Sequence, residues 1–154
     1  MKSSYNRSSG FTLIEILLAI GILAILATAA IIAINPARQF AQARNTQRWS
    51  DVNAIMNGAY QYAVSHKGAM PPEIPTGGSF LQICITGAPS CSNMASITSI
   101  TDNATYLTAM PVDPACPQGC DANSTGYQIT TNLAGRIIVQ APNAELSETI
   151  ELVR

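Results

Sequence analysis

One carboxylate stands alone in a long apolar run. From Phe11 to Ile34 the chain has 24 residues whose only charge is Glu15. As a helix this run is about 36 Å long at about 1.5 Å per residue, enough to cross a hydrocarbon core of about 30 Å. A charge inside such a span costs about 2.5–3.5 kcal/mol or more, so Glu15 needs a partner or a use. Four cysteines form the second candidate set. Cys84 and Cys91 are seven apart, and Cys116 and Cys120 are four apart. Three connectivities are open to them. Turn formers inside each segment (Gly87 and Pro89; Pro117 and Gly119) favour local pairing, 84 with 91 and 116 with 120. A four-thiolate zinc site competes with that reading, but it usually wants Cys-x2-Cys knuckles, and neither spacing is one. By loop length alone, the 116–120 bridge should contribute less stability than the 84–91 bridge.

Other reactive side chains are scattered. His66 is the single histidine and sits at an expected helix end, where a cation favours the terminal carbonyls. Asp102, Asp113 and Asp121 do not match a calcium-loop spacing and read as solvated turn residues. Arg38, Arg44 and Arg48 read as a solvated helix face or as partners of Asp51, and Trp49, Tyr60 and Tyr62 as packing. The sequence has no G-x-G-x-x-G, G-x-S-x-G, P-loop or H-E-x-x-H motif, so no enzyme chemistry, cofactor or metal is expected.

The elements around Glu15 form a pattern. Lys2 and Arg7 precede Gly10, Phe11 follows it, and Glu15 lies four residues beyond Phe11 at the head of the apolar run. This resembles the class III signal of type IV pilins and their relatives, the pseudopilins. The resemblance implies that a prepilin peptidase cuts between Gly10 and Phe11. It also implies that Phe11 becomes an N-methylated terminus, and that Glu15 pairs with the Phe11 amine of a neighbouring subunit during filament assembly. An ordinary secretory signal has a shorter apolar region with its small-residue cleavage site after it, not before. The stretch Tyr106 to Pro114, followed by Gly126-Tyr127, resembles more loosely the segment leading pilin heads into their sheet. Pseudopilins of secretion systems typically continue with an acidic calcium loop; here the chain reads Ala115-Cys116-Pro117-Gln118-Gly119-Cys120.

Charge and topology agree with this. Only 11% of the 154 residues are charged, low for a soluble monomer. Removing residues 1–10 leaves 6 Lys+Arg against 9 Asp+Glu, a side-chain charge of −3, so a basic nucleic-acid footprint is lacking. A DNA-capturing minor subunit would need one. Lys2 and Arg7 should keep the amino terminus cytoplasmic. The rest of the chain then lies outside a bacterial inner membrane, in a compartment that permits disulfides.

The elements that position these residues follow from periodicity. Residues 1–10 read as a leader, 11–34 as a membrane or filament-core helix, 35–67 as an amphipathic continuation and 68–154 as a head. Gly21 and Pro36 mark weak points, through poor helix propensity and a lost backbone hydrogen bond. In a fibre the helix is expected to unwind between them. Val52, Ile55, Met56, Ala59, Tyr62 and Ala63 line one apolar face, and Phe40 and Ala41 extend it weakly. Arg38, Gln42, Asn45 and Gln61 fall on the other face. Gly68 is the expected left-handed cap, ahead of Pro71-Pro72. Phe80–Ile85 is a candidate strand, 92–108 is ambiguous, and alternation at 127–131, 137–141 and 149–152 predicts a three-stranded antiparallel meander. The fold class is therefore α+β: a long helix, apolar then amphipathic, packed on a small antiparallel sheet. The implied partners are further copies of the chain, the prepilin peptidase, the pilus assembly platform with its minor pilins, and the inner membrane before assembly. The implied destination is a filament on the cell surface; a pseudopilin of secretion or DNA uptake is the alternative.

Overall fold

Thr12 opens the first helix. Its backbone is extended (φ −81°, ψ 148°) and its Oγ1 accepts the Glu15 N–H at 3.3 Å, a side-chain N-cap. The computed structural model describes residues 10–116 and 120–154; Lys2, Arg7, Pro117 and Gly119 lie outside them. The chain divides into two units, one ending at Gln39 and the other spanning Phe40–Arg154.

In the first unit, helix α1 runs over Leu13–Ile34 and none of its residues is buried. It continues unbroken through Gly21. It stops at Asn35, whose φ of 48° and ψ of 76° are left-handed. Asparagine tolerates this conformation better than most residues because its short amide bonds locally. Asn35 also caps the next helix, since its Oδ1 accepts the Arg38 N–H at 3.4 Å. Pro36 then takes the first helical position, where its missing N–H costs nothing. One residue thus ends α1 and begins α2 (Pro36–Ser65).

The second unit is built on α2. Its buried positions include Ala41, Asn45, Arg48, Val52, Ile55, Met56, Ala59 and Ala63, a helical repeat of three and four. The stripe differs from the expected one at its upstream end. Phe40 is 65% exposed, while Asn45, expected on the outer face, is buried. At the carboxyl end the Gly68 N–H bonds the Ala63 carbonyl at 2.8 Å, the wide closure of a Schellman turn. The left-handed cap position within it belongs to Lys67 (φ 57°); the expected cap, Gly68, follows with φ 91°.

The sheet has five strands, β1 (Leu81–Cys84), β2 (Met94–Ala95), β3 (Ser124–Thr131), β4 (Ile137–Gln140) and β5 (Glu151–Val153), in the order β2-β1-β3-β4-β5. The expected meander is β3-β4-β5, with Ile129 opposite Val139 and Val139 opposite Leu152. Two further strands extend it. β1 pairs antiparallel with β3, and the two-residue β2 runs parallel to β1. Both outer strands are short. The ambiguous stretch 92–108 contains β2, the single-turn helix α3 (Thr98–Thr101) and a 3-10 turn at Asp102–Ala104. Glu73 fixes the preceding loop to α3 by accepting the Ser99 N–H at 3.2 Å and the Ser99 hydroxyl at 2.8 Å. Val52, Ile55, Met56 and Ala59 of α2 pack with Ile83, Tyr127, Ile129, Ile137 and Val139 of the sheet in one core, with Ile100 and Ile150 beside them. β3 is central and buried at seven of its eight positions, which is why Thr125 and Thr130 are interior.

Candidate assembly helix and the polar clamp of the head

The apolar helix is the first candidate site. Fourteen large apolar side chains between Phe11 and Ile34 are at least half exposed, Phe11 at 79% among them. A span of this length and composition can cross a membrane. Glu15 stands in its first turn and is exposed, and no ion pair reaches it among the described residues. A carboxylate in the first turn is favoured by the helix dipole. Phe11 and Thr12 immediately precede the helix, so any terminal amine at Phe11 would lie within one turn of this carboxylate along the chain.

The second site is a polar clamp that the sequence reading missed. Arg48 and Asp113 form a forked pair, Nε to Oδ2 at 2.7 Å and Nη2 to Oδ1 at 3.0 Å, with both side chains at 0% exposure. Asp113 is therefore not a solvated turn residue, and Arg48 is neither solvated nor paired with Asp51. Arg48 also donates to Asn45 Oδ1 at 2.9 Å and to Glu145 Oε1 at 3.3 Å. Arg44 makes its own fork with Glu145, at 2.7 and 2.5 Å. Asn45 donates to Glu148 at 2.7 Å, and the Trp49 indole donates to the same carboxylate at 2.8 Å. Four side chains on two adjacent turns of α2, Arg44, Asn45, Arg48 and Trp49, thus hold the loop between β4 and β5 and the approach to β3. Of the three arginines, only Arg38 keeps the exposed position expected for it.

The electrostatics follow the geometry. Hydrogen bonds from Arg44, reinforced by Arg48, hold the Glu145 carboxyl down at about 2. Trp49 and Asn45 lower Glu148 in the same way. The hydrogen bonds to Asp113 push the Arg48 guanidinium further up. Asp51 accepts the Tyr127 hydroxyl at 2.6 Å; burial raises the Asp51 carboxyl, and burial together with Asp51 raises the Tyr127 phenol. His66 stacks on Tyr62 with ring centroids 3.8 Å apart, and its Nδ1 lies 2.9 Å from the Tyr62 carbonyl, an interaction with the helix end. Trp49, Tyr60 and Tyr62 all pack against the core.

The cysteines join as Cys84–Cys91 and Cys116–Cys120, with Cα separations of 5.7 and 5.2 Å, and none is left free. That removes the zinc alternative. The first bridge lies at the end of β1, beside a cavity of about 180 Å3 lined by residues between 84 and 110. The second lies against Gly126 of β3. A Cβ added there would sit 2.7 Å from Asp113 Cβ and within 3.0 Å of both sulfurs.

A long amino-terminal helix, apolar and then amphipathic, with a small and mostly antiparallel sheet, defines an α+β pilin-like architecture. Residues 5–31 match the family model described as the prokaryotic N-terminal methylation motif, which is the class III signal of type IV pilins and pseudopilins. The match covers the amino-terminal segment and, with this architecture, supports a pilin- or pseudopilin-like protein. No curated protein and no solved structure matches it.

Proposed function

We propose that this chain is the structural subunit of a type IV pilus. It would be inserted in the inner membrane as a single span, cut between Gly10 and Phe11, and polymerised into a surface filament. The observation that carries the reading is the α1 segment: Glu15 in the first turn of a helix with no buried residue, inside the methylation motif. Moving such a helix from lipid to a bundle of like helices gains little hydrophobic energy, because both surroundings are apolar. Charge neutralisation then decides which packing forms. At an effective dielectric of about 20, a Phe11 amine 4 Å from a neighbour's Glu15 attracts it by about 4 kcal/mol. Desolvation consumes much of that, so the pairing sets register more than it adds stability.

Two further observations support a helix-packed fibre. From Gln39 to Ser65, every fully exposed residue of α2 is uncharged, among them Gln42, Ala43, Gln47, Ser50, Asn57, Gln61 and Val64. Arg44 and Asp51 are half-buried, and Arg48 is buried toward the head. An exposed helical face this poor in charge is unusual for a freely solvated protein. The chain after Asp113 closes with a disulfide where secretion pseudopilins typically carry a calcium loop, which favours the pilus over the secretion reading. The role is structural, not enzymatic.

The test is to shear filaments from the cell surface and analyse them by mass spectrometry. The main subunit should begin at Phe11 and carry one added methyl on that terminus. Filaments whose subunit retains Gly10, or an abundant processed subunit that never leaves the envelope, would overturn the proposal; the second result would point to a pseudopilin.

A further inference from the structure

Buried ion pairs hold an element in place only as firmly as their less anchored partner is held. In the Arg48–Asp113 pair, Arg48 is fixed by α2, whose ladder surrounds it. Asp113 is fixed differently. It lies outside regular structure, at the start of the turn that enters the 116–120 bridge. Its N–H bonds the Thr125 carbonyl at 2.8 Å, its carbonyl accepts the Cys116 N–H at 2.9 Å, and its Oδ1 accepts the Ala115 N–H at 2.7 Å. Asp113 Cβ and both sulfurs crowd over Gly126, where there is no room for a side chain. Asn143, two residues before Glu145, has its amide nitrogen 3.7 Å from Cys120 Sγ. The sulfur bridge therefore touches the ground on which Asp113 stands and the loop that carries Glu145. Asp113, the closer anionic partner of Arg48, stands directly beside it; Glu145 is linked to it through Asn143.

We propose that the Cys116–Cys120 disulfide is a redox-sensitive latch: it holds the Arg48–Asp113 pair closed and thereby keeps residues 41–49 of α2 docked on the head. Both cysteines are partly exposed, so a thiol can reach them. A dithiol opens the latch. One of its thiolates attacks a bridge sulfur, a mixed disulfide forms, and the departing cysteine takes up a proton. The second thiolate then displaces the other cysteine. Two electrons pass to the chain, which ends with two thiols, and the dithiol ends as its own disulfide. With the bridge open, the turn holding Asp113 loses its closure, and the buried guanidinium loses its best-placed acceptor. Loop length ranks this bridge below Cys84–Cys91; its position ranks it first for α2.

The experiment uses the full chain in detergent micelles, as the Cys84→Ser/Cys91→Ser variant, so that one bridge remains. Dithiothreitol reduces it, alkylation mass confirms two thiols, and amide hydrogen exchange is read over α2. Exchange at residues 41–49 should quicken by about tenfold or more while residues 55–63 stay unchanged. Trp49, the only tryptophan, should report the same opening by a shift in emission. Reoxidation should restore both. In an added Asp113→Asn background the latch has nothing to hold, and reduction should change exchange by less than about twofold. If the serine variant does not fold, Cys116→Ser/Cys120→Ser with the other bridge intact should show the same local loosening. Unchanged exchange with both thiols alkylated, an equal response in the Asp113→Asn background, or uniform loosening along all of α2 would each overturn the latch.

Discussion

Replacing Asp113 with Asn should be among the most damaging single changes in the head, although it alters the side-chain shape hardly at all. The amide keeps an acceptor for the Ala115 N–H, now 2.7 Å away, so the turn itself can persist. The damage falls on Arg48, whose guanidinium is at 0% exposure and would face a neutral amide. Breaking a buried pair from one side costs about 3–5 kcal/mol. Glu145 remains at 3.3 Å as a second anion, which places the loss near the lower end. With a urea slope of about 2 kcal/mol per molar, a 3 kcal/mol loss moves the unfolding midpoint down by about 1.5 M. The assay is urea unfolding of the full chain in a mild detergent, followed by the emission of Trp49. Arg48→Met combined with Asp113→Asn should recover at least half the loss, because no uncompensated charge is then buried. An Asp113→Asn midpoint within about 0.3 M of wild type would refute the idea that the pair holds α2, since that shift is below 1 kcal/mol on the same slope.

Other outcomes follow from the same geometry. Glu15→Val should insert and fold but yield few filaments; wild-type filament yield, counted by electron microscopy, would remove Glu15 from assembly. Acid should weaken the head as pH falls from about 4.5 toward 2, because Glu145 and Glu148 titrate lower folded than unfolded and their contribution disappears as they protonate. Asp51 is raised and acts with the opposite sign, its contribution declining as pH rises through its folded value, so Glu145→Gln should flatten the acid limb while Asp51→Asn should steepen it; thermal midpoints between pH 2 and 7 read both. Tyr127→Phe should cost about 1–3 kcal/mol in urea unfolding by orphaning Asp51. Gly126→Ala should destabilise by more than about 1 kcal/mol in the same titration, because φ is +83° and the new methyl meets Asp113 and the bridge sulfurs.

The parts of the fold that were legible are those set by local pattern. Apolar continuity marked α1, and period-two alternation marked β3, β4 and β5; Asn35-Pro36 read as a kink in one long helix, where left-handed Asn35 instead ends one helix and starts the next. The parts that were not legible depend on distant partners. β2 has two residues and no alternation to show, and it exists because β1 offers it an edge. Asp113 between two prolines reads as a turn, and nothing nearby says that an arginine 65 residues upstream will cover it. A signal for Arg48 did exist. Extending the stripe backward from Val52 in steps of four, three and four gives Arg48, Asn45 and Ala41, all buried. Polar side chains on those steps could have been read as a paired interior rather than as an outer face. The helix cap differed because the Schellman closure depends on which residue reaches back to Ala63, and that placed Lys67 one position before the glycine.

The brevity of the two outer strands bears on how such a protein survives at high density. An open sheet edge is a template for whatever extended chain comes near, and the hazard grows with edge length and with local concentration. In a polymer whose heads are crowded together, every sheet would meet others at concentrations far above those of free protein. Here one border offers two residues, Met94 and Ala95, and the other offers three, from Glu151 to Val153, ending beside the charge of Arg154. Neither border is long enough to seed a ladder. If copies of this head were packed side by side in a polymer, the little edge each leaves open would keep them from amyloid-like pairing.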